Sequence, residues 1–129
     1  MPFALYDVVA NDGHNPVKAW ALGLGKDELG KLNQKLDMLA KHGSELPPQL
    51  LSGTDDAHID KIRINGQRAL RLLLCRGPLN MSGVEFTLLH GCIEKDRKLP
   101  PGSVETAADR RTAIINGQLQ RVKHERFKR

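Results

Sequence analysis

Leu88-Leu89-His90-Gly91-Cys92-Ile93-Glu94-Lys95-Asp96-Arg97-Lys98-Leu99-Pro100 passes from apolar residues through a His-Gly pair into dense charge. It reads as a buried strand that delivers Lys95, Arg97 and Lys98 to one edge of a sheet. Two runs upstream, Lys61-Ile62-Arg63-Ile64 and Leu70-Arg71-Leu72, thread further cations through strand-like apolar residues. Charges within strands call for a counterpart, and an anionic ligand such as RNA supplies one.

Working outward, the pattern predicts three strands over 58–64, 67–76 and 84–94, with Asn65-Gly66 as a hairpin signal. A three-residue loop at Asn65-Gly66-Gln67 sets Ile62 opposite Leu70. It gathers Ile62, Ile64, Leu70, Leu72 and Leu74 on one face. Lys61, Arg63 and Arg71 then share the other face, with Lys61 across from Arg71. Like charges in that arrangement are tolerable when solvated or when they hold an anion. In the last strand, Phe86, Leu88, His90 and Cys92 are assigned inward, and Gly91 lies on the open face where a ligand backbone can approach. His90 is therefore read as a core histidine.

Upstream of the strands, residues 3–9 suggest a first strand, and Asn15-Pro16 a cap with proline at the first helical position of a short helix to about 24. From Lys26 to His42, Leu29, Leu32, Leu36 and Leu39 form one apolar stripe. Asp27 and Glu28 suit that helix's start, Lys41 and His42 its end, and Gly43 stops it. The two helices form a hairpin over one sheet face. Residues 44–56 read as a loop. A last helix over 103–116 is capped by Ser103, and its stripe runs through Val104, Ala107, Ala108, Arg111 and Ile115. Residues from about 118 form a basic, mobile tail.

A length of 129 residues suits one domain, and the expected class is α+β: a mainly antiparallel sheet carrying an N-terminal strand, a helical hairpin and a C-terminal helix. The net charge of +5 suits nucleic acid or an acidic partner protein, and a solvated Lys/Arg excess explains it equally. Aromatic residues make up only 4%, which argues against an aromatic stacking sheet, and Trp20 reads as packing. Cys75 and Cys92 sit in apolar runs without Cys-x-x-Cys spacing, as in a reducing compartment. No signal-peptide pattern and no membrane-length apolar run occurs, so the expected location is cytoplasmic.

Motifs for nucleotide-phosphate loops, metalloprotease helices and nucleophile elbows are absent, and no cofactor or metal is expected. A cationic set is what remains. It suits metal-free RNA cleavage, in which the 2′-hydroxyl attacks its own neighbouring phosphate. The protein then orients the attack, assists proton transfer and stabilises the added negative charge.

The chain resembles the RelE/HigB-type toxins of bacterial type II toxin–antitoxin systems, including their phage-derived HigB-like relatives. Residues 88–100, followed by Val104, Ala108 and Arg110, are similar to the family's His-Gly strand, basic segment and following helix. Ile59-Asp60-Lys61-Ile62-Arg63-Ile64 looks like its basic strand, Leu70-Arg71-Leu72 like its arginine strand, and Leu51-Ser52-Gly53 like its short Leu-x-Gly element. The resemblance implies a small RelE/ParE-like fold. It also implies an mRNA endoribonuclease (mRNA interferase), ribosome-dependent and neutralised by a helix-turn-helix antitoxin. Carried over by position, Arg71, Lys95 and Lys61 would be catalytic, while Arg63, Arg97 and Lys98 would bind RNA. The chain departs from the pattern at Leu70, where an aromatic is usual, at Cys92 and Glu94, and in lacking a C-terminal tyrosine. A gyrase-poisoning toxin of the same fold and an inactive antitoxin- or nucleic-acid-binding module are the alternatives.

Overall fold

A computed structural model of the chain describes residues 3–129. Its elements are β1 (Ala4–Val9), α1 (Pro16–Leu22), α2 (Lys26–His42), β2 (Leu51–Gly53), β3 (Asp60–Asn65), β4 (Ala69–Arg76), β5 (Glu85–Glu94), α3 (Ser103–Ile115) and β6 (Gln120–Lys123). The strands form one sheet in the order β2-β3-β4-β5-β1-β6. β1 runs parallel to β5, and every other pairing is antiparallel. The class is therefore α+β, with a mostly antiparallel sheet.

Local chemistry sets the two N-terminal helices. Asn15 Oδ1 accepts from the Lys18 amide at 2.9 Å, and Pro16 occupies the first turn, where a missing N–H costs nothing. Glu28 Oε1 accepts from the Gly25 amide at 3.0 Å to close the start of α2. Leu29, Leu32, Leu36 and Leu39 are all buried against the sheet. The helix stops where Gly43 takes φ +57°, and a side chain there would meet the Phe3 ring at 2.4 Å.

The β3–β4 hairpin keeps its predicted faces but not its predicted register. Ile62 pairs with Leu72, Ile64 with Leu70, and Arg63, not Lys61, stands opposite Arg71. The loop is Gly66-Gln67-Arg68. A shift of two residues leaves each side chain on the same face. It also frees Arg68 from the strand, and its guanidinium meets Glu28 of α2 at 2.6 Å. That contact joins hairpin to helix and is invisible to strand periodicity.

β5 differs more. Leu73 pairs with His90 but Leu74 with Leu88, so Leu89 is the extra residue of a bulge. The bulge inverts the alternation beyond it. Phe86 and Leu88 face α1 and α2 as expected, but His90 and Cys92 turn to the opposite face, which α3 covers. Gly91 turns toward the helices, where the Trp20 ring fills the space a side chain would need.

α3 crosses β4 and β5 on that second face. Ser103 is not its cap: Gly102 holds that position at φ +84°, and Ser103 is buried at the first turn. The buried positions are Ser103, Ala107 and Ile114, while Ile115 is 47% exposed. The expected stripe is thus rotated toward Ile114.

The C-terminal segment corrects the expectation of a mobile tail. β6 adds to β1 at the sheet edge. Phe127 is 3% exposed, and its amide and carbonyl bond the Asn33 side chain at 3.1 and 3.0 Å. His124 and Asn15 both bond the buried Asp7 carboxylate, at 2.9 and 2.8 Å. A single apolar core spans the helices, the sheet and Phe127.

Candidate nucleic-acid interface

Because α3 covers β4 and β5 but not β3, the outer face of β3 is left partly open. Lys61 projects there, half-buried. The chain leaving β5 supplies the opposite wall. Lys95 and Lys98 exchange backbone hydrogen bonds of 3.0 and 2.9 Å around Asp96 and Arg97, whose φ angles are +52° and +62°. Two positive angles in a two-residue loop are the mark of a type I′ turn, and they throw the Arg97 side chain outward.

Lys61, Arg97 and Lys98 meet around an open groove of about 700 Å³. Asp55 and Glu105 also line it, as does Ser103 in the first turn of α3. The groove has three cationic side chains against two carboxylates, and the positive end of α3 adds to the cationic side. An open polar groove of this kind suits a phosphodiester held by charge-assisted hydrogen bonds.

The other named cations lie elsewhere. Arg63 donates through Nη1 to the Pro48 carbonyl and to Ser52 Oγ, each at 2.8 Å, and so ties the approach to β2 onto β3. Arg71 is 5% exposed. Its Nε meets Glu94 Oε2 at 2.9 Å, while Nη1 donates to Asn65 Oδ1 at 3.1 Å and to the Leu70 carbonyl at 2.8 Å. Its guanidinium clamps β3, β4 and β5 together and does not line the groove. Lys95 is exposed and faces a second, adjacent groove with Trp20, Gly91, Ile93 and Leu99.

No protein-family model matches the chain, and no curated protein or solved structure does either.

His90 sits half-buried on the α3 face. Arg110 donates to its Nδ1 at 3.3 Å and to the Leu89 carbonyl at 2.7 Å, so Nδ1 is the unprotonated ring nitrogen. Burial first, and the Arg110 charge second, hold the imidazole below its ordinary value. Burial pushes the Cys75 thiol up to about 12 and also raises Cys92, beside Ser103, so neither sulfur is a ready thiolate. Among the described residues, no three His, Cys, Asp or Glu side chains gather as metal ligands would, and no helix is long and apolar enough to cross a membrane.

Sequence reasoning found the cations but not the carboxylates that line the groove with them. Asp55, beside Asp56 in a loop, and Glu105, which suits the first turn of a helix, gave no sign of facing the groove. The Asp96-Arg97 turn lacks the Asn-Gly that usually announces its type. Trp20 at a helix end suggests packing rather than base stacking, and nothing in the sequence joins it to Gly91, which the structure sets against its ring.

Proposed function

We propose that the protein is the toxin of a type II toxin–antitoxin pair and acts as an mRNA endoribonuclease. The observation that carries this reading is the convergence of Lys61, Arg97 and Lys98 on one open groove. The element order, a strand, two helices, a run of antiparallel strands and a helix, agrees with the resemblance to RelE/HigB-type toxins.

In this reading the groove seats a phosphodiester. The RNA 2′-hydroxyl gives its proton to solvent water as its oxygen attacks the phosphorus in line, the bond from phosphorus to the 5′-oxygen breaks, and a 2′,3′-cyclic phosphate remains. Arg97 stabilises the added negative charge with a planar, permanently charged fork. Lys61 donates to the departing oxygen, and Lys98 neutralises the phosphate. Lys95 meets the chain beyond it. Arg71 acts as a positioning residue: its links to Asn65 and Glu94 fix the strands from which Lys61 and the turn project. Arg63 holds the β2 wall. The remaining partners, a helix-turn-helix antitoxin, the ribosome and a cytoplasmic setting, belong to the same proposal.

Cleavage of a reporter mRNA in a translating extract, mapped by primer extension, tests it. Lys61→Ala and Arg97→Ala should each lower cleavage by at least about tenfold. They are better probes than Arg71→Ala, which leaves the partly buried Glu94 without its partner. Intact transcripts with the wild-type protein overturn the reading.

A second reading is favoured by the engagement of Arg71 Nε and Nη1 with Glu94, Asn65 and the Leu70 carbonyl. With that guanidinium committed to Glu94, the groove can bind RNA without cleaving it, as an inactive module would. RNA binding with no cleavage and no growth arrest selects it, whereas growth arrest with DNA breaks selects a gyrase-directed toxin.

A further inference from the structure

We propose that the groove beside the cationic one holds a nucleobase of single-stranded RNA, with Trp20 as its stacking surface. This rests on reading the Lys61, Arg97 and Lys98 groove as a phosphate site, and it adds the part of the nucleotide that the phosphate reading leaves unplaced.

The second groove measures about 590 Å³ and is lined by Trp20, Gly91, Ile93 and Leu99, with the exposed Lys95 and Lys98 beside them. It exists because β1 pairs with β5 only as far as Leu88. Beyond that point, among the described residues, the flank of β5 has no neighbouring strand on the β1 side. Gly91 lets the indole settle onto this flank: a Cβ there would lie 2.1 Å from Trp20 Cδ2 and Cε3. The ring is therefore seated on rigid backbone while still lining open space.

The two grooves share one wall. Lys98, Leu99, Pro100 and Pro101 line both, so a cationic groove and an apolar groove lie on either side of a single ridge. The paired prolines stiffen that ridge. A ligand that uses both sides must be anionic at one end and flat and apolar a short distance away. A nucleotide has that form, and bases stack on aromatic rings without regard to sequence. The chain carries a single Trp. One base, rather than a run of bases, is what the groove is built to take.

That single Trp makes the test direct, because fluorescence excited at the red edge, where Tyr6 does not absorb, reports on Trp20 alone. The full chain is titrated with a short 2′-O-methyl oligonucleotide, which cannot be cleaved, and with an abasic strand carrying the same number of phosphates. Anisotropy of labelled strands reports binding in parallel. The base-bearing strand should quench Trp20 and bind about tenfold more tightly than the abasic one. Trp20→Ala should erase that advantage, while Trp20→Phe, which keeps the packing on Gly91, should retain most of it. Equal binding of both strands with unchanged fluorescence overturns the proposal and leaves the phosphate groove standing. Binding of neither strand overturns both. Quenching by an acidic, aromatic peptide but not by RNA also overturns it, in favour of a protein segment.

Discussion

Arg97 holds a backbone angle that arginine seldom adopts. At φ +62° its Cβ crowds the carbonyl, a cost of about 1–2 kcal/mol for an L-residue. Glycine at that place relieves the crowding, although it loses more freedom on folding. Arg97→Gly should therefore raise the unfolding free energy by about 0.5–1 kcal/mol in urea titrations. It should weaken RNA binding at the same time. A strained residue whose removal stabilises the fold but impairs the groove is the signature of a side chain kept for function. His90 makes a different prediction. Its imidazole is held below the ordinary value of 6.5, so the unfolded chain binds the proton first. Stability is full above pH 6.5, declines as pH falls toward the folded value, and is level again below it. His90→Gln should flatten that decline in pH-dependent urea unfolding, and an unchanged slope would assign the decline to another group.

Among the elements, α2 was legible to the residue because its four leucines, its acids and Gly43 are all local signals. The faces of β3 and β4 were legible too, since parity follows from the apolar pattern. Their register was not, because the Arg68–Glu28 ion pair that goes with it joins a loop to a distant helix. The bulge at Leu89 was hidden by chemistry: Leu88 and Leu89 are both apolar, so neither phase of the strand was penalised. β6 was missed because Gln120-Arg121-Val122-Lys123 reads as a basic tail, and only β1 gives it a partner. Of the candidate site, the cations of Lys61, Arg97 and Lys98 were plain in the sequence. The withdrawal of Arg71 into a pair with Glu94 was not. The C-terminal segment yields a prediction at this scale. Phe127→Ala should cost about 3 kcal/mol of stability, as loss of a buried aromatic does. Urea unfolding measures it, and a change under 1 kcal/mol would show that the segment does not pack.

At the scale of the whole molecule, positive charge on the open side of β3 couples binding to ionic strength. Three cations line the groove, and each phosphate neutralised on a single strand contributes about −0.7 to the slope of log affinity against log salt. The wild-type slope should be about −2 and should become shallower by about 0.7 in Lys98→Ala. A slope near zero would mean that the groove does not engage phosphates.

The place of β1 in the sheet has a consequence for how the chain is made. It emerges first among the strands, yet its two neighbours are β5 and β6. While the ribosome is still delivering the middle of the chain, β1 has neither side occupied. Its apolar residues and its free backbone edges must wait for segments far downstream. Pairings of such long sequence separation slow folding and prolong the exposure of sticky intermediates. A nascent chain of this topology closes its sheet late, after β6 has cleared the exit tunnel.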